Sequence, residues 1–301
     1  MQILEKSVLE KISAEIKDSN TNELLEGTIK HIFVKLIEYK SLRIPLMPAV
    51  SAQILAIIDD SNADMGKIAQ IIKHDPMFGA IILKTANSSF YSGSSNVPNI
   101  EVAVKRIGLQ EIKRLLFIIS LSSFVIKTGK YSEIFGDIWA HSIKTALAAD
   151  ELAKYSEVPS SGEYIAGLLH DIGKMFALIA LWEVDRYLGS TSAIGTDIAA
   201  EIIQVLHIPF GRFAAEKWNL PQYVADSIVS HHDEAGAFKA GRTVFNVYLG
   251  NIIVSDDNSD YLKKRTMLEN SELMRISGVS LDIIDDLRVR IPALYKKYES
   301  V

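Results

Sequence analysis

Five of the seven histidines in this chain fall beyond residue 140: His141, His170, His207, His231 and His232. Asp171 follows His170 directly, inside the stretch AGLLHDIGK that runs from Ala166 to Lys174. Five imidazoles and one carboxylate suit iron, manganese, nickel or zinc better than calcium, which prefers oxygen throughout. Buried without partners, each group costs free energy, and one shared cation offsets several of those costs. The competing reading is a set of hydrogen-bonded core histidines, and for any single member that reading is the better one. The clustering favours the metal.

Such a cluster needs elements that present it. Apolar residues recur at helical spacing along most of the chain, as at Val50, Ile54, Ile57 and Ile58, and no sustained period-two alternation supports a sheet. The fold class is therefore all-α. Asn62 and Asp75 read as caps of the helices that follow, Pro76 as a first-turn residue, Asn99 as a cap and Gly108 as a stop. His141 shares a helix face with Ile138 and Leu152, since eleven residues at about 100° each return nearly to the starting face. His207 is expected to end one helix with Pro209 opening the next, and His231 and His232 to end the helix begun at Pro221.

A chain of 301 residues accommodates two helical subdomains, and the polar TGKYS at 128–132 marks the boundary. The expected organisation is an N-terminal helical extension over 1–41, a first helical subdomain over 42–127, a metal-binding helical subdomain over 133–257 and a C-terminal helical region over 258–301. Between Asn87 and Asn99 runs a long polar connection whose aromatic pair, Phe90 and Tyr91, is a candidate partner or ligand surface.

Composition narrows the classes. Zero cysteines remove disulfides, thiolate metal sites and cysteine nucleophiles together. A net charge of -5 weighs against broad binding to nucleic acid, and Lys105, Arg106, Lys113 and Arg114 read as a solvated face. The apolar runs fall short of an uncharged membrane span, and the first residues lack a signal-peptide core, so a cytoplasmic protein is expected.

The motif LLHDIGK, with His141 before it and HIPFGRFAAEKWNLP and IVSHHDE after it, resembles the HD superfamily of metal-dependent phosphohydrolases, and within it the HD-GYP branch. The first half is similar to HDOD-domain proteins through IPLMPAVSAQIL, IAQIIKHDPMFGAIILKTANSSFY and AVKRIGLQEIKRLL. The resemblance covers roughly Leu42 to Asp257. It implies a signalling domain related to cyclic-di-GMP phosphodiesterases, its second subdomain an HD-type bundle. It also implies one or two divalent metals on His141, His170, Asp171, His207, His231 and His232, and Lys174 beside the substrate phosphate. Two departures stand out. AGAFKAGRT replaces the Gly-Tyr-Pro loop after His232, and Asn251 stands where a final metal aspartate is expected, Asp256 being the nearest acidic substitute. An amide oxygen is neutral and a weaker ligand. The resemblance thus leads to a regulatory module, catalytically degenerate, that acts in trans on signalling partners, with a nucleotide as a candidate ligand. The alternative is a phosphohydrolase acting on a cyclic dinucleotide or another phosphoester, with Asp171 and Lys174 in the catalytic roles, and a nucleic-acid-binding regulator comes third.

Overall fold

The computed structural model describes residues 2–3, 43–44, 47, 49–56, 68, 72, 76–88, 90–91, 97–122, 131–155, 162–188 and 195–298. The expected caps Asn62 and Asp75 lie outside them. So does the expected extension over 1–41, apart from β1 (Gln2–Ile3), which pairs antiparallel with β2 (Arg43–Ile44). The rest of the described regular structure is helical. The chain divides into two compact units: Met47–Ile126 with Lys296–Val301, and Met1–Leu46 with Lys127–Tyr295.

The smaller unit contains α1 (Ala49–Leu55), α2 (Pro76–Ala86), α3 (Ile100–Ile107) and α4 (Leu109–Ser122). The Asn99 side chain accepts the Val102 N–H at the start of α3, and Gly108, at φ 90°, stops it. Phe78, Ile82, Ala103, Ile112, Leu116 and Ile119 bury the facing stripes of α2, α3 and α4. Asn87 closes the base of the connection after α2: its carbonyl oxygen accepts the Val97 N–H at 2.8 Å, and its amide donates to the Val97 carbonyl at 3.2 Å. A 3-10 turn at Lys296–Tyr298 also belongs here, with Tyr298 Oη donating to Glu111 at 2.5 Å.

The larger unit runs through α5 (Ser132–Ala153), α6 (Glu163–Leu169), α7 (Ile172–Leu188), α8 (Thr196–Lys217), α9 (Gln222–Ser230), α10 (Glu234–Ala240) and α11 (Arg242–Ile253). It ends with α12 (Asn258–Glu269), α13 (Glu272–Ser277) and α14 (Leu281–Tyr295). Helix α5 packs on α6 and α11, and α7 packs along α8. Arg288 of α14 donates to the carbonyls of Ile253 and Ser255 at 2.7 and 3.1 Å. The last turn of α11 thereby gains the partners it lacks within its own helix. By length and composition Glu163–Glu183 and Thr196–Lys217 could each cross a membrane, but both are mostly buried in this core, which accounts for their apolar character.

Two expectations fail here. Helix α8 continues through Pro209, so His207 sits in mid-helix and no new helix opens after it. Proline deletes one backbone hydrogen bond and crowds the preceding turn. Pro209 is buried with Leu206 and Phe210 on either side, and the packing of α8 along α7 outweighs that local cost. AGAFKAGRT, taken as a loop, is largely helix α10, which begins after the extended Asp233 and stops at Gly241, φ 117°.

Glycines set the separations around AGLLHDIGK. A Cβ on Gly167 would lie 2.7 Å from Ala146 Cα, so α6 crosses α5 backbone to backbone. On Gly173 it would lie 1.8 Å from the His207 carbonyl oxygen, so the start of α7 rests directly on α8. Gly136, exposed in α5, would meet nothing within 4 Å. In urea titrations Gly173→Ala should therefore lose about 3 kcal/mol of stability. Gly136→Ala should gain about 0.5–1 kcal/mol from helix propensity alone. A Gly173→Ala protein as stable as wild type would mean that α7 and α8 do not approach this closely.

Candidate metal centre

His170 and Asp171 occupy the junction between α6 and α7, a two-residue break in which the chain turns from one helix into the next. His141 comes from α5, His207 from α8, and His231 and His232 from the end of α9. Each imidazole neighbours the next. Ring centroids are 5.4 Å apart for His141 and His170, 4.9 Å for His170 and His231, 5.4 Å for His207 and His231, and 4.0 Å for His231 and His232.

Three of these rings are held alike. His170 Nδ1 lies 2.7 Å from the Gly167 carbonyl and His207 Nδ1 lies 2.6 Å from that of Gln204, while His231 Nδ1 is 3.0 and 2.9 Å from those of Ser227 and Ile228. A carbonyl only accepts, so in each neutral ring the proton resides on Nδ1 and Nε2 carries the lone pair. The three Nε2 atoms are buried and have no hydrogen-bond partner, and the same holds for Asp171 Oδ1. Buried acceptors left unmatched are rare, because each costs about 1–3 kcal/mol.

Asp171 belongs to one triad, His141–His170–Asp171, and faces a second, His207–His231–His232, the donor atoms within each lying within 4.8 Å of one another. Its Oδ2 faces His170 Nε2 at 3.3 Å, His141 Nε2 at 3.8 Å and Lys174 Nζ at 2.7 Å, and its Oδ1 faces His231 Nε2 at 3.4 Å. Burial opposes ionisation of Asp171, but His170 and the Lys174 ammonium overcome it and hold the carboxyl well below the usual range. Burial pushes His141 and His207 down to about 4 and also lowers His231. Desolvation, and then crowding by His231 and His207, lower His232 as well, but its side chain stands exposed at the rim, where water screens the effect. His141, His207 and His231 are thus kept in the neutral form that binds metal.

Asn251, in α11, meets His141 with Oδ1 2.9 Å from Nε2, while its amide nitrogen donates to the His231 carbonyl at 3.3 Å. Asp256, the acidic substitute considered above, lies beyond the end of α11 and pairs with Lys144 at 3.6 Å. Phe90 and Tyr91 belong to the smaller unit. Phe90 is 57% exposed and packs edge-on to Tyr91 at 4.9 Å, whereas residues 92–96 lie outside the described residues. Sequence reasoning missed the backbone carbonyls that set the tautomers. It also missed Thr145, one turn beyond His141, whose hydroxyl is 3.5 Å from His141 Nε2. A carbonyl three or four residues back is available to every helical histidine, so spacing carries no signal of it.

These features define a class: an all-helical domain whose packed helices gather imidazoles around one buried carboxylate. The HDOD domain matches residues 44–234, and the chain belongs to the HDOD family. An uncharacterised protein of Treponema pallidum (strain Nichols) is 26% identical over 199 residues, 63% of this chain. The chain spans only 38% of that relative's length. Among solved structures, the fold is shared with an HDOD-domain protein of unknown function from Geobacter sulfurreducens, at 21% identity and TM-score 0.63, covering 90% of this chain and 97% of the other. It is also shared with a candidate metal-dependent phosphohydrolase from Shewanella amazonensis SB2B, at 21% and 0.61, covering 94% and 99%. A candidate signal-transduction protein from Marinobacter aquaeolei VT8 shares it at 18% and 0.62, covering 95% of this chain and 68% of the other.

The lowered imidazoles carry a pH consequence. The unfolded chain takes up protons on His141 and His207 below about 6.5, whereas the native chain resists them down to about 4, so native stability falls as pH drops through that window. Each contributes roughly 2 kcal/mol of loss by pH 5. Asp171 adds to the loss only once pH falls below its ordinary 3.8. The thermal midpoint of chelator-treated protein should drop by several degrees between pH 7 and pH 5, and His207→Gln should flatten part of that slope. A midpoint that is level across the range would contradict the burial of neutral imidazoles.

Proposed function

We propose that the chain is a regulatory HDOD module that holds a divalent transition metal and does not turn over phosphoesters. One observation carries the metal: the buried, unmatched Nε2 atoms of His170, His207 and His231 beside Asp171 Oδ1. Tetrahedral or octahedral ions of the iron, manganese, nickel and zinc group accept this nitrogen-rich donor set. When bound, such an ion polarises phosphoryl oxygens and activates water. His170, His207, His231 and Asp171 would hold it, with His232 at the exposed rim.

The rest of the chain argues against turnover. Asn251 offers a neutral oxygen where hydrolysis would profit from a carboxylate, and that oxygen already accepts from His141. Helix α10 occupies the stretch after His232 where the related hydrolases carry their Gly-Tyr-Pro loop. The second reading is a phosphohydrolase acting on a nucleotide. It draws on Lys174, whose ammonium lies 2.7 Å from Asp171 and could steady a phosphate there. As a regulator the module would act in trans, and Phe90 with Tyr91 on the connection closed by Asn87 is the surface it would offer a partner.

Elemental analysis of protein purified without a metal-affinity step should find a transition metal near one per chain, and His231→Ala should lose it. Less than about a tenth per chain would end the metal reading, since weak sites lose metal but not so completely. With manganese or iron supplied, turnover of cyclic-di-GMP and of bis-nitrophenyl phosphate should stay below about 0.1 per second, well under ordinary enzymes. Faster metal-dependent turnover by wild type would establish the hydrolase instead.

A further inference from the structure

We infer that Asn251 is a tautomer lock that withdraws His141 from the ligand set and limits the centre to a single ion, the hydrogen bond from His141 Nε2 to Asn251 Oδ1 being the locking contact. This rests on the metal reading above and sharpens it.

The orientation of the Asn251 amide follows from its second contact. Its nitrogen lies 3.3 Å from the His231 carbonyl, which can only accept, so Nδ2 must face that carbonyl and Oδ1 must face His141. An amide oxygen likewise only accepts. The atom 2.9 Å away, His141 Nε2, therefore carries the proton and has no lone pair to offer. His170, His207 and His231 are set the opposite way, with Nδ1 protonated by their own helices and Nε2 bare. Four similar side chains are thus sorted by their partners into three ligands and one donor.

The carboxylate is divided in the same sense. Lys174 Nζ takes Asp171 Oδ2 at 2.7 Å, while Oδ1 has no hydrogen-bond partner and faces His231. Of the triad His141–His170–Asp171, His141 is protonated at the atom it would use, and the carboxylate oxygen nearest it is occupied by an ammonium. What remains open are Nε2 of His170, His207 and His231 and Asp171 Oδ1, with His232 at the rim of the second triad. To bring His141 into a second ion's shell, its proton must move to Nδ1 and the bond to Asn251 must break. The buried amide oxygen is then left to become a weak neutral ligand.

Aspartate at 251 still presents an acceptor to His141, but its negative charge makes it a ligand in its own right, so in Asn251→Asp a second ion should displace the His141 proton and open the second site. Titration with zinc or manganese, followed by calorimetry and elemental analysis, should give one ion per wild-type chain and close to two in Asn251→Asp, or in Asn251→Asp with Lys174→Met. His141→Ala should bind the single ion within about threefold of wild type, whereas His170→Ala and His231→Ala should weaken it more than about a hundredfold. Nitrogen-15 spectra of the metal-loaded wild type should show His141 as the Nε2–H tautomer, and those of Asn251→Asp should show it metal-bound. Two ions in wild type, a loss beyond about tenfold in His141→Ala, or a bare Nε2 on His141 would each overturn the lock while leaving metal binding intact. Absence of any metal from wild type would overturn the reading it rests on. Should Asn251→Asp fail to fold, the His141→Ala affinity and the wild-type spectrum still decide.

Discussion

A neutral imidazole has one proton and one lone pair, and everything at this centre depends on where the proton is placed. His170, His207 and His231 each give theirs to a carbonyl of their own helix, a bond that needs no other part of the protein. The lone pairs are then aimed by helix orientation alone. Side-chain hydrogen bonds to a rigid helix leave few rotamers open, so the donors are preorganised before any ligand arrives.

Bringing these rings into adjoining triads requires helices closer than ordinary packing, and the two glycines of AGLLHDIGK provide that. Gly167 lets α6 touch the backbone of α5, which carries His141, and Gly173 lets α7 touch the His207 carbonyl. The motif thus contains both the ligands and the spacing devices that bring the neighbouring ligands to them. Farther out, Arg288 caps α11 and keeps the turn that bears Asn251 against α5 and α9. The C-terminal helices contribute to the site through this support and lend it no ligand.

Most of this was legible in the residues, for identifiable reasons. Helical periodicity and the caps at Asn99 and Gly108 are local, and local rules hold where packing agrees with them. At Pro209 they did not hold, because the contact of α7 with α8 is non-local and outweighs one missing hydrogen bond. The site residues could be named from type and clustering. Their division into bare acceptors and a protonated donor could not, since that depends on which oxygen faces which nitrogen across helices more than a hundred residues apart, as for His141 and Asn251. A spacing pattern records that a histidine is present, but only its partner decides the tautomer.

The same accounting explains why the arrangement is coupled to folding. Four buried acceptors without partners cost about 1–3 kcal/mol each, against a total stability of about 5–15 kcal/mol for a domain of ordinary size. Alternative side chains of similar shape would avoid that cost, and apolar ones would add to the core. Retaining all four in two adjoining triads is consistent with a native state that receives something in exchange. A cation bound only when the helices are assembled contributes its binding free energy to the folded state alone. The centre would then act as a clasp between α6, α8 and α9, and loading of the ion would shift the stability of the whole larger unit. A module of this kind need not perform chemistry to report on its ligand. It needs only a surface whose order depends on whether the clasp is closed.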